Sequence, residues 1–158
     1  MQVITFKAKP KMIFGIILAV TGVIVILLTF VSNHGGAAET AAAPINCSTA
    51  ALREDYLSSL GWKYGEVTQK EVTIPATFNQ VYQNYNELQK EQGFNLENYK
   101  GRTAALYTYT ITNYNDNENV IANLLVSDGV LIGADLCDPS ADSGFLVALG
   151  KNDNGTTG

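Results

Sequence analysis

The sequence predicts an α+β domain carried behind one membrane anchor. Three observations carry this: a charge-free apolar run of twenty residues, two helical stripes flanking a β-branched segment, and three alternating segments in succession. The apolar run, Met12 to Val31, rises about 1.5 Å per residue as a helix and so matches a hydrocarbon core of about 30 Å. Lys7, Lys9 and Lys11 precede it, and the flank from Ser32 to Pro44 has no Lys or Arg. Basic flanks stay in the cytosol. Residues 1–11 are therefore read as a cytosolic flank, 12–31 as a single-pass transmembrane segment, and the rest as extracellular. A cleaved secretory signal is the alternative. Its apolar region usually spans only about 7–15 residues, which favours the anchor.

Residues 32–45, rich in Ala and Gly with one proline and no apolar period, read as a flexible tether to a domain over 46–150. Leu52, Tyr56, Leu57 and Leu60 fall on one helical face, with Ser48 or Thr49 as N-cap and Gly61 just past the end. Glu66 to Ile74 is rich in β-branched residues and predicts a strand. Pro75 suits the first turn of a second helix, in which Phe78, Val81, Tyr82, Tyr85 and Leu88 form the apolar stripe and Gly93 the stop. Gln83, Asn84, Asn86, Glu87 and Lys90 would be its solvated face.

After the loop "FNLENYKG" come "TAALYTYTITNY", "VIANLLVS" and "VLIGADLC", with no helix-length gap between them, which predicts an antiparallel meander. Asp128-Gly129 predicts a type I′ hairpin, whose register sets Ser127 opposite Val130, Leu125 opposite Ile132 and Asn123 opposite Ala134. Both faces of that hairpin are partly apolar, so the pattern does not choose the covered one. "GFLVAL" is expected to dock on the core, and residues 151–158 to form a disordered tail. Helix, strand, helix and three strands give an α+β domain, cystatin-like in general shape, with its helices on one sheet face.

Beyond Gly35 stand seven Lys/Arg against fifteen Asp/Glu, a formal charge of −8 that repels nucleic acid. The one histidine, His34, lies in the tether, so the domain has no His-based catalytic pair or metal cluster. No phosphate-binding glycine motif is present either, and neither a catalytic set, a metal site nor a cofactor is predicted. Asp135, Asp138 and Asp142 lack calcium-loop spacing and read as a structural turn. Cys47 and Cys137 lie in the exported part, where an oxidising compartment would let them form a disulfide; buried thiols and a thiol redox pair are the alternatives. Tyr82, Tyr85, Tyr99, Tyr107 and Tyr109 form a candidate binding patch, set against a purely structural role in the core.

"SLGW" (59–62), "VTIPATF" (72–78), "VYQNYNELQKEQGFNLENYKG" (81–101), "YTYTITNY" (107–114) and "ANLLVSDGVLIGADLC" (122–137) together resemble an uncharacterised family of small bacterial proteins. That family is defined as a domain of unknown function, typically with one amino-terminal membrane segment. The resemblance spans about Cys47 to Leu149 and implies bacterial origin and an exported single-pass topology, with no catalytic residues to carry over. Family members often carry a paired glycine in the last strand, where this chain has Gly133-Ala134.

The expected function is a membrane-tethered, non-enzymatic binding or regulatory domain outside the cell, taking an envelope protein, a peptide or a glycan. The alternative is a cell-wall hydrolase working through two carboxylates.

Overall fold

The computed structural model describes residues 43–115, 117–142 and 144–152. The predicted cytosolic flank, anchor and most of the tether lie outside the described residues, and among these no helix is long and apolar enough to cross a membrane.

Thr49, in extended conformation, accepts the Leu52 N–H through its side chain and starts helix α1 (Ala50–Ser59). Gly61 follows at φ 83°, the left-handed geometry that ends a helix without a Cβ clash. Strand β1 (Tyr64–Thr73) leads to helix α2 (Gln80–Lys90). That helix starts five residues later than Pro75 predicts, because Asn79 is the residue that caps it, its side chain accepting from Tyr82 N. Phe78 thus precedes the helix and packs on the Tyr82 ring at 4.8 Å between centroids. After a 3₁₀ turn at Leu96–Tyr99 come β2 (Thr103–Ile111), β3 (Ile121–Ser127), β4 (Val130–Asp138) and β5 (Phe145–Ala148). The five strands form one sheet in chain order, every neighbouring pair antiparallel.

The sheet carries helices on both faces, not on one as expected. Leu57 of α1, Trp62 and Cys47 pack with Tyr109, Ile111, Leu124, Val126 and Leu136 on one face. Tyr82 and Tyr85 of α2, with Phe78 and Leu96, pack with Leu106, Leu125 and Ile132 on the other. This explains why the hairpin segments are apolar on both faces: they are covered twice.

The Asp128-Gly129 turn forms as predicted, with φ 50° and 78°. Ser127 opposes Val130, but a bulge between Leu125 and Val126 shifts everything beyond it by one residue. Leu125 then faces Gly133 and Asn123 faces Asp135, in place of Ile132 and Ala134.

β4 needs partners along its outer edge as well, and they come from three places. Leu131 N donates to Ile45 O at 2.9 Å, so the domain begins at Ile45, one residue earlier than predicted. Further along, the Gln89 carboxamide oxygen accepts Ala134 N at 2.8 Å, and Gln92 Nε2 donates to Ala134 O at 2.8 Å while its oxygen accepts Leu149 N at 2.9 Å. From Asp135 onward β5 takes over. Two side-chain amides thus stand in for a missing strand. Gln89 and Asn86 are buried, so Asn86 leaves the predicted solvated face: it accepts Leu96 N at 2.7 Å and donates to Asn95. The start of the predicted tail is tied down too, Asn152 N donating to Leu60 O at 2.7 Å, while 153–158 lie outside the described residues.

Replacing Gln89 with Ala strips the buried Ala134 N–H of its acceptor and should lower stability by about 2 kcal/mol. Gly129→Ala should cost about 1–2 kcal/mol, from the left-handed φ and from a Cβ placed 3.0 Å from that of Ser48. Both are read by denaturant unfolding of the full chain, followed through the fluorescence of its single, buried tryptophan, Trp62.

Candidate functional site

The bulge brings two polar side chains together in the apolar layer under α2. Asn123 Nδ2 donates to Asp135 Oδ1 at 2.7 Å, Tyr85 O–H donates to Asp135 Oδ2 at 2.7 Å, and Thr108 O–H donates to Asn123 Oδ1 at 2.8 Å. Asn123 also directs an N–H toward Cys137 Sγ at 3.6 Å. Asp135 is fully buried, and burial pushes its carboxyl up to about 6, against the hydrogen bonds from Asn123 and Tyr85 that favour the charged form. Burial, then the neighbouring Asp135, also raise the Cys137 thiol far above its ordinary range. That sulfur is a protonated packing group, not a thiolate nucleophile.

The expected Cys47–Cys137 disulfide does not form; both are free and buried. Cys47 N donates to Gly129 O at the turn, and Cys137 lies seven residues beyond Val130 on β4. At about 3.3 Å per residue they stand about 23 Å apart, far beyond the roughly 4.4–6.8 Å a bridge spans. Asp138 accepts Asn117 Nδ2 and Ser140 N, both at 2.8 Å, and holds the predicted turn.

The candidate tyrosine patch is divided by the sheet. Tyr82, Tyr85 and Tyr99 lie on the α2 face, Tyr107 and Tyr109 on the α1 face. Tyr82, Tyr85 and Tyr109 are buried core residues, as the structural reading had it. Tyr107 remains half-buried at the wall of a solvent-open groove of about 510 Å³. Gln69 and Glu71 of β1, Ser48 before α1, and Ser127, Asp128 and Gly129 of the hairpin are among the other residues that line it.

Behind Tyr107 stands a residue that sequence reasoning passed over. Arg53 of α1 is only 8% exposed. Its guanidinium carbon lies 3.6 Å from the Tyr107 ring centroid, Nη1 donates to Cys47 O at 3.0 Å, and Nε donates to Tyr109 O–H at 3.3 Å. Among the described residues it makes no ion pair, so its charge is balanced by an aromatic face and two neutral oxygens. Its position in α1, one residue after Leu52 and three before Tyr56, was the available signal: Arg53 shares the buried stripe with Leu57.

The Asp135 carboxyl sets a pH dependence. A folded value of about 6 against an ordinary 3.8 means that the folded state holds the proton more tightly. Its stabilising contribution is complete below about pH 4 and is lost as pH rises to 6, a change of about 3 kcal/mol. Asp135→Asn should remove that falling limb. The check is the difference between the wild-type and variant unfolding free energies from pH 4 to 7, which should change through this window and level off above it.

The family described as a domain of unknown function (DUF4830) matches residues 56–136, from the middle of α1 to near the end of β4. No curated protein and no solved structure matches the chain. The matched span holds β1, α2, the Asp135 network with its bulge, and Tyr107, and the chain is a member of the DUF4830 family.

Proposed function

We propose that this is a membrane-tethered, non-enzymatic binding domain on the outer side of the membrane, whose ligand is a polypeptide segment of the cell envelope. The observation that carries the reading is the groove wall, where the half-buried Tyr107 ring is held against the buried Arg53 guanidinium at 3.6 Å. Tyrosine and arginine are, with tryptophan, the side chains enriched among those that dominate binding energy at protein interfaces, and a ring fixed from behind loses little freedom on contact. The groove also offers Gln69, Ser48 and Ser127 as hydrogen-bonding groups for an extended backbone. The charge-free run at 12–31 and the Ala/Gly-rich stretch after it support the reading of a single-pass protein with this domain at the cell surface.

The hydrolase alternative has less support. The two buried carboxylates that titrate abnormally, Asp135 and Asp138, are three residues apart on β4 and point to opposite faces of the sheet. They cannot flank one bond.

A photoreactive residue placed at Ser48 or Asp128 of the full chain in bacterial membranes should form one discrete adduct with another polypeptide. The same probe at Gln83, exposed on α2, should not. Tyr107→Leu, which keeps an apolar side chain under Arg53, should reduce the adduct at least about tenfold. Equal labelling from Gln83, or no adduct at either groove position, removes the reading.

A further inference from the structure

The two edges of the sheet are treated in opposite ways. On one side the edge strand is β5, only four residues long, and the rest of the outer side of β4 is covered by the Ile45 segment and by the Gln89 and Gln92 amides. At the other edge stands β1, ten residues long, paired only with β2 and exposed over most of its length. Among the described residues nothing pairs with its outer side. An edge of that length is a template for another strand. Two devices could blunt it, a bulge and a lysine, and neither does so here. The bulge lies between Tyr64 and Val67 and leaves Val67 to Thr73 regular. Lys70 deters only a strand that does not answer its charge.

We propose that β1 pairs antiparallel with β1 of a second copy about a two-fold axis at Thr68, joining two five-stranded sheets into one. In that register Glu66 of each copy stands opposite Lys70 of the other, Val67 opposite Gln69, and Thr68 opposite itself. Shifting the pairing by one residue sets Glu66 against Glu71 instead. Thr68 and Lys70 lie on one sheet face, opposite Thr108 and Leu106, and the bulge that carries Gly65 and Glu66 stands opposite Thr110 on that same face, so the Glu66–Lys70 pairs close the two ends of a seam whose regular centre is Val67 to Gln69. Neither Glu66 nor Lys70 makes an ion pair among the described residues. Each thus finds its cross-strand partner only in the dimer, and Val67, 47% exposed, gains a neighbour.

The even register also fixes the axis normal to the sheet. Both copies then present α1, and Ile45 packed on that face, to the same side. Two chains leaving for one bilayer need that arrangement. A single strand pair buries less than a stable soluble dimer requires, so tethering supplies the effective concentration. In this respect the dimer rests on the tethered reading above.

Full-length chain carrying Thr68→Cys, expressed in bacteria and oxidised in the fraction that contains it, should run as a disulfide-linked dimer. The native Cys47 and Cys137 are buried and should not link the wild type. Thr73→Cys should also remain monomeric, because in this register the two copies of residue 73 lie about 33 Å apart. Adding Lys70→Glu to Thr68→Cys should slow linkage about tenfold, and adding Glu66→Lys as well should restore it. Glu66, Thr68 and Thr73 are exposed and Lys70 is half-buried, so these substitutions lie outside the buried core. No linkage at Thr68, equal linkage at Thr73, or no effect of charge reversal overturns the dimer. A chain that fractionates away from the membrane overturns the tether, and linkage at Thr68 in that fraction would still support the pairing.

Discussion

Strand β4 is buried on both faces along eight of its nine residues, and its backbone must find partners on both sides of that buried path. β3 supplies one side from Val130 to Cys137, apart from the bulge at Ile132, and β5 supplies only the last four positions of the other. A buried amide without a partner costs as much as a good hydrogen bond yields, so the remaining gap governs how the domain is built. Gln89 and Gln92 close it, and to do so α2 must end where its last turn reaches Ala134. Gly133 follows from the same requirement, since a Cβ there would come within 3.2 Å of the Gln89 oxygen. Gly133 is thus where α2 and β4 meet closely; the side chain of Ala134 joins the opposite core.

With α2 anchored at its end, its earlier turns are placed over the middle of the sheet, and Tyr85 arrives above Asp135. The Asp135 network is then a consequence of two placements, the helix from one side and the bulge from the other. An acid held by two donors and no cation is a poor stabiliser in an apolar layer, because desolvation opposes the charge more than the bonds favour it. What it can supply is register. A slip of β4 against β3 by one residue would leave Asp135 and Asn123 buried without each other, a penalty that the surrounding aliphatic pairs would not impose.

Local chemistry was legible in the sequence wherever a single residue decides the geometry. Thr49 and Gly61 bound α1, Gly93 closes α2, and Asp128-Gly129 makes the hairpin, all as read. Longer-range order was less so. A bulge leaves no mark in "VIANLLVS" or "VLIGADLC", so the partner of Asn123 was misplaced by one residue, and with it the polar pair of the candidate network. The start of α2 moved because proline tolerates a helix's first turn without requiring one, whereas Asn79 offers an acceptor to an otherwise unpaired N–H. Amides defeated the polarity rule: Asn86, Gln89 and Gln92 look like a wet face, yet all three are spent on backbone groups. Tyr107 was named from the sequence, but Arg53 behind it was hidden for a related reason, since a cation on a helix reads as solvated until the ring and carbonyl that receive it are in place.

The groove and the open edge are connected through β1. Gln69 and Glu71 point into the groove opposite Tyr107 and Ala105, while the backbone between them forms the unpaired edge. In the proposed dimer the axis at Thr68 places the two grooves on the same side of the joined sheet, with Gln69 of one copy beside Val67 of the other. A ligand held in one groove would then touch a strand whose twist is shared with the second copy, and adjacent strands in a sheet do not change twist independently. Closing one edge with side chains and leaving the other for a partner thus makes β1 the element through which binding and association can act on each other.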